Sequence, residues 1–94
     1  MVRQRVVLGS VGDDGRASGA ARRLRDEGQE IVYVGGHQTP EQLVHTAIAE
    51  DATVILVDGD APALARIAEL CVELGADDVL VTPLDVRPGA PRSR

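Results

Sequence analysis

The stretch EIVYVGGHQTPEQLVHTAIAEDATVILVD, residues 30–58, predicts two parallel strands joined by a helix. The apolar runs at residues 30–34 and 53–57 have the length and the β-branched content of buried strands. Between them, residues 39–42 (Thr-Pro-Glu-Gln) are typical of a helix start, with an N-cap threonine, an early proline and a capping-box glutamine. The stretch is therefore a β-α-β unit, and its crossover is expected to be right-handed.

The same alternation continues on both sides of this unit. Upstream, residues 3–8 predict a strand, residues 9–16 a Gly/Asp-rich loop and residues 17–27 a helix. Downstream, Asp60 is expected to cap a third helix, and residues 78–81 predict a fourth strand. The β-α-β-α-β-α-β order predicts an α/β fold with a doubly wound, flavodoxin-like parallel sheet. The buried face of the third helix is predicted from four apolar residues: Leu64, Ile67, Cys71 and Leu74.

Length and composition narrow the class of protein. Ninety-four residues predict one domain, over residues 1–82, followed by a Pro- and Arg-rich tail over residues 83–94. A net charge of −5 argues against nucleic acid or an anionic membrane surface as a partner. The single cysteine excludes an internal disulfide, and each apolar run is too short to span a membrane, so we expect a cytoplasmic protein.

The predicted sheet stops before the fifth strand and last helix of a complete flavodoxin-like domain. Right-handed crossovers put helices two and three on one face and helix one alone on the other. The second face of strands three and four, made of alternate residues among 54–57 and 79–81, would then be bare. We expect a homodimer or a different partner chain to cover this face. The alternative is that the tail folds back over it.

Several segments resemble the cobalamin-binding domain of the methylmalonyl-CoA mutase family. They are DGRASG at 14–19, ARRLRDEG at 21–28, VYVGGHQTPE at 32–41 and ELGADDVLV at 73–81. The HQTPE and GADD-V-L-V runs are the most specific, and the resemblance extends over about residues 3–88. It implies the flavodoxin-like fold already expected from the alternation of strands and helices.

The chain differs from the family at the residues that bind cobalamin. In the family, an Asp-x-His-x-x-Gly motif follows strand one; its histidine binds cobalt, and its aspartate orients the histidine. Asp14 and Gly19 stand at the matching positions, but Arg16 replaces the histidine. A guanidinium stays protonated and has no lone pair for cobalt.

Three further departures lie at the same implied site. Ser10 stands where the family has a supporting lysine. Asp58-Gly59-Asp60 replaces the family's Ser-x-Leu, which contacts the nucleotide tail of cobalamin, and Pro83-Leu84 replaces a Gly-Gly pair. We therefore expect a degenerate domain that has lost cobalamin binding and has no cofactor.

Three functions are consistent with this pattern. The first is a non-catalytic module that dimerises or docks on a partner such as a mutase-type large subunit, against which the family domain packs its carboxyl edge. The second is a small enzyme that reuses the emptied cleft for a small molecule, with His37, Asp14, Asp58 and Arg16 as candidate catalytic residues. The third is a cobalamin-binding subunit of a CoA-ester isomerase with an unusual binding mode.

No metal site is expected. The two histidines, His37 and His45, lack a second ligand at metal-binding spacing. Five aspartates follow predicted strand ends and invite comparison with a Mg²⁺-binding rim, but helix caps and solvated loop residues explain them as well. They are Asp13, Asp14, Asp58, Asp60 and Asp85.

Overall fold

The structure, a computed structural model, describes residues 4–84 and forms an α/β layer fold. Its elements are β1 (Arg5–Ser10), α1 (Gly15–Asp26), β2 (Glu30–Gly35), α2 (Pro40–Ala49), β3 (Val54–Asp58), α3 (Ala61–Glu73) and β4 (Leu80–Pro83). The strands are parallel and lie in the order β2-β1-β3-β4, which confirms the flavodoxin-like topology. No helix within residues 4–84 has the length and apolar character needed to cross a membrane.

The boundaries of β1 and α1 differ from the prediction. β1 continues to Ser10, which pairs with Asp58 of β3, and α1 begins at Gly15, so the predicted eight-residue loop shrinks to residues 11–14. Gly9 lies in the strand because it pairs with Val57 of β3. β2 packs so close that a Cβ added at Gly9 would come within 2.6 Å of the Val34 side chain. The glycine that indicated a loop is instead needed for close strand packing.

β4 also differs, starting at Leu80 and ending at Pro83. Residues 76–79 form a turn closed by the Val79 amide, which donates to the Ala76 carbonyl at 3.1 Å. Pro83 pairs with Val57 on the open edge of the sheet, where a residue without an N–H is tolerated. The strand therefore extends one residue into the segment predicted as tail, and residues 85–94, with Asp85, lie outside the described residues.

The larger half of the core lies between the sheet and helices α2 and α3. Leu43 and Val44 of α2 and Ile67 of α3 are fully buried there against Ile55. Cys71 is buried as predicted, and this burial, followed by the nearby Asp78 carboxylate, raises the pKa of its thiol.

The prediction is wrong for one residue of the buried face of α3. Leu74 is the C-cap and is 46% exposed, whereas Leu70 is 6% exposed and packs in the core. The helix ends before Leu74 can turn inward, and Gly75 leaves the helix at a positive φ of 76°.

The opposite face of the sheet is covered by α1 alone. Three alanines, Ala17, Ala20 and Ala21, let α1 lie close to Val6 and Leu8 of β1. The helix contacts mainly β1 and β2, and Leu56 of β3 is buried beside it, so within residues 4–84 the open part of this face lies at β4. Leu80 is 62% exposed there. The predicted bare face is therefore seen at Leu80 of β4, whereas the prediction is wrong for Leu56 of β3, which is buried.

Candidate functional site

The loops that follow β1, β2 and β3 meet at the carboxyl edge of the sheet, where α/β proteins bind ligands. Backbone hydrogen bonds tie these loops together. The His37 amide donates to the Gly12 carbonyl at 2.8 Å, and the Gln38 amide donates to the Ser10 carbonyl at 2.9 Å. The Val11 amide donates to the Asp58 carbonyl at 3.0 Å. The edge is therefore a connected backbone surface built from sequence-distant loops.

Gly36 allows this close approach. A Cβ at Gly36 would lie 2.8 Å from the Gly12 carbonyl oxygen and 3.1 Å from Asp14, so no larger residue fits without moving a loop. The next residue, His37, has a φ of 54°, a left-handed conformation that histidine adopts more readily than most residues. His37 is exposed, as is His45 on α2.

An ion pair joins the position of the missing histidine to β3. Arg16, in the first turn of α1, places Nη1 3.5 Å from Oδ1 of Asp58. Arg16 is 62% exposed and Asp58 is 25% exposed, so the pair lies at the surface and contributes about 0.2–1 kcal/mol. The pair matters for the chemistry of the site, because a guanidinium beside a carboxylate stands at the position where the resemblance implies a metal-binding imidazole.

A second pair uses the aspartate of the motif. The Tyr33 hydroxyl donates to Oδ2 of Asp14 at 2.8 Å. Partial desolvation raises the pKa of the Tyr33 phenol, and the hydrogen bond and charge of Asp14 raise it further. The Asp14 carboxylate does not cap α1 with its side chain, since it accepts from Tyr33 instead.

Sequence reasoning missed Tyr33 as a residue of this site. The alternation of side chains along β2 could have identified it. That alternation places Tyr33 on the α1 face, near the end of the strand and beside the loop that carries Asp14.

Ser10 has a structural role at the same edge. It is 1% exposed, and its hydroxyl lies 2.7 Å from the Asp13 carbonyl oxygen and 3.3 Å from that of Asp58. The side chain therefore joins the β1–α1 loop to β3. A lysine would not replace it without opening this contact, because Ser10 is enclosed.

The other predicted residues lie around this centre. Asp60 caps α3 by accepting from the Ala63 amide at 3.0 Å, as expected. Gly19 lies on the exposed side of α1. Pro83 ends β4, and the Leu84 amide donates to the Val57 carbonyl at 2.9 Å. The structure thus brings Ser10, Asp14, Arg16 and Asp58 together, with Asp60 nearby on the β3–α3 connection.

These residues do not fit the donor set that the resemblance implies for cobalamin. At the position of the cobalt ligand the chain has the guanidinium of Arg16, which cannot bind cobalt. Asp14, whose carboxylate would orient the ligand imidazole, accepts a hydrogen bond from the Tyr33 hydroxyl instead. No group of three or more His, Cys, Asp or Glu side chains that could hold a metal ion occurs within residues 4–84.

The chain is similar in sequence to the 2-hydroxyisobutanoyl-CoA mutase small subunit of Aquincola tertiaricarbonis. The two are 42% identical over 91 residues, which is 89% of this chain and 67% of that protein. No model of a known protein family matches the chain.

The fold is similar to that of a cobalamin-binding protein from Desulfitobacterium hafniense DCB-2, whose crystal structure is known. The TM-score is 0.75 at 14% sequence identity, so the likeness concerns the fold. The match covers 92% of this chain but 47% of the other, so this chain spans about half the length of that protein.

Proposed function

From the premise that the chain belongs to the cobalamin-binding-domain family of the CoA mutases, we propose that it is a mutase-type small subunit that no longer holds cobalamin and docks on a larger subunit. The observation that carries the proposal is the Arg16–Asp58 ion pair at the position of the cobalt ligand. We expect the complex to form in the cytoplasm.

The absence of a cofactor role is supported by how the polar groups at the carboxyl edge are used. Arg16 contacts Asp58, Asp14 accepts from Tyr33, and Ser10 joins two loops. Each of these three side chains has a partner within the chain. Two carboxylates, at Asp58 and Asp60, also stand where an anionic nucleotide tail would pass, and like charges repel.

The docking role is supported by the similarity to a protein named as a small subunit, since that name implies a larger partner. The family resemblance implies that the carboxyl edge faces this partner. The edge is suited to contact because its loops are tied by backbone hydrogen bonds, which lowers the entropy lost on binding.

The small-enzyme alternative gains less support. It requires His37 to converge with Asp14 and Asp58 on a pocket. His37 is exposed, Asp14 accepts from Tyr33, and Asp58 forms an ion pair with Arg16.

Calorimetric mixing with the large subunit of the Aquincola tertiaricarbonis mutase tests the proposal. We expect a complex without cobalamin, with an affinity that added adenosylcobalamin does not change. His37→Asp should weaken the complex because His37 projects from the carboxyl edge; aspartate tolerates the same left-handed φ. His45→Asp, an equally exposed change on α2, is the matched control.

Two results would argue against this function. A complex that forms only with cobalamin would return the chain to the cofactor-binding subunits. Equal weakening by His37→Asp and His45→Asp would mean that docking does not use the carboxyl edge.

A further inference from the structure

The outward face of α1 carries three arginines that have no carboxylate partner within residues 4–84. Arg22, Arg23 and Arg25 are exposed, and none of them forms an ion pair in this part of the chain. Arg25 donates to the Ile31 carbonyl at 3.4 Å, which is a long hydrogen bond to a neutral group. We call these three residues the α1 arginine face.

The other three arginines in the described part of the chain all contact carboxylates. Arg5 pairs with Glu30 at 2.8 Å, and Arg66 pairs with Glu69 at 2.7 Å. The third is Arg16 at the carboxyl edge. Carboxylates are not scarce, since the chain has 15 acidic residues and 10 arginines. The lack of ion pairs is therefore particular to the α1 arginine face.

The needs of the helix explain only part of this arrangement. Arg23 and Arg25 lie in the last turn of α1, where positive charge is favoured by the negative end of the helix dipole. Arg22 lies before that turn and three residues from Arg25, a spacing at which like charges repel. Asp26, one turn after Arg22, forms no ion pair with it. A contact with negative charge from outside the chain would relieve this repulsion.

The α1 arginine face is continuous with the carboxyl edge. α1 begins at that edge, with Arg16 in its first turn. Arg22 lies six residues further along the helix, which is about 9 Å along its axis. A partner that docks on the carboxyl edge therefore reaches the α1 arginine face if its surface extends about two turns along the helix.

We propose that the larger subunit contacts the α1 arginine face through carboxylate side chains, so that its docking surface is acidic where it lies along α1. The inference rests on the docking function proposed above. Guanidinium groups suit this contact because their planar donors match a carboxylate with two parallel hydrogen bonds. A nucleic acid is a poorer occupant, because the chain as a whole has a net charge of −5 and would repel a polyanion.

Calorimetric mixing with the large subunit of the Aquincola tertiaricarbonis mutase tests the proposal with two double variants. Arg22→Gln with Arg23→Gln removes two positive charges from the α1 arginine face. Ala65→Glu with Ala68→Glu adds two negative charges to α3, so the net charge of the chain changes by the same amount. All four parent residues are exposed, and glutamine and glutamate are good helix formers, so both variants should fold, which circular dichroism checks.

The arginine variant should weaken the complex at least about tenfold, because it removes two contacts between opposite charges. The α3 variant should weaken it less than about threefold, since it changes only the long-range field. The affinity of the parent chain should fall as salt is raised from about 0.05 to 0.5 M.

Four results would overturn the proposal. Equal weakening by the two variants would mean that only the net charge matters. A complex weakened by His37→Asp but not by the arginine variant would confine docking to the carboxyl edge and leave the proposed function in place. No complex with the parent chain would remove the docking function as well. Weaker retention of the arginine variant on single-stranded DNA, with an unchanged protein complex, would assign the face to nucleic acid.

Discussion

At the scale of single residues, two side-chain pairs define the carboxyl edge. The Arg16–Asp58 pair and the Tyr33–Asp14 pair each join the β1–α1 segment to a neighbouring strand end. Both pairs are exposed, so neither adds much stability. They matter for cofactor binding instead. Arg16 stands at the motif position of the cobalt ligand, Asp14 stands at the position of the carboxylate that orients it, and each has a partner within the chain.

The Tyr33 phenol gives a direct measure of the second pair. It is the only aromatic residue in the chain, so its ionisation can be followed by near-ultraviolet absorbance without interference. We expect a pKa above the ordinary value of 10.0, because desolvation and the Asp14 carboxylate both disfavour the phenolate. Asp14→Asn should bring the pKa closer to 10.0, and Asp13→Asn, a change in the same loop, should leave it unaltered. A parent chain that titrates at 10.0, or equal shifts in the two variants, would contradict the pairing.

The same raised pKa has a consequence for stability. The protonated phenol is favoured by the folded state, so its contribution is fully present below pH 10.0 and is lost as the pH rises through the folded-state pKa. Tyr33→Phe should therefore lack this part of the alkaline loss of stability.

Sequence reasoning identified the positions of this site but not its pairings. Asp14 and Arg16 stand at motif positions, and Ser10 and Asp58 stand at two other positions that the resemblance implies; all four lie at the carboxyl edge of the sheet. The contact between Arg16 and Asp58 depends on how the start of α1 and the end of β3 approach each other, with β2 and α2 between them in the chain. No local spacing encodes that distance, and for the same reason the Tyr33–Asp14 hydrogen bond was missed.

At the scale of elements, prediction succeeded where local chemistry decides the outcome. Thr39 and Pro40 begin α2, and Asp60 caps α3, because these starts are set by side chains within three residues of the helix. It found β1 and β4 but misplaced their ends, which tertiary contacts decide. Gly9 and Ser10 indicated a loop, but pairing with β3 keeps them in the strand.

The capping box of α2 offers a test at this scale. The Thr39 hydroxyl accepts from the Gln42 amide at 3.0 Å, and the Gln42 side chain accepts from the Thr39 amide at 2.8 Å. Thr39→Ala should lower the free energy of unfolding by about 0.5–2 kcal/mol in urea titrations, since it removes the acceptor. Thr39→Ser keeps the hydroxyl and should retain most of the stability. Equal losses in both variants would mean that the hydroxyl contact is not what stabilises the start of α2.

At the scale of the whole molecule, the strand order divides the surface into two regions with different chemistry. The carboxyl edge is polar and carries the residues of the family motif. The open part of the sheet on the α1 side, at β4, is apolar and neutral. The strand order predicts the second region, because right-handed crossovers leave α1 alone on that side.

The central claim is that replacing the ligand histidine with Arg16, within this set of changed residues, has removed cobalamin binding. The most direct test is titration of the purified chain with adenosylcobalamin and hydroxocobalamin, followed by visible absorbance and calorimetry. Arg16→His is the matched variant, because it restores the imidazole and removes the Arg16–Asp58 ion pair in one change. We predict no binding by the parent chain at about 50 μM, and any binding gained by Arg16→His would measure the effect of the guanidinium. Tight binding by the parent chain would contradict the claim. A spectrum of imidazole-ligated cobalt that is lost in His37→Ala would then identify His37 as the ligand.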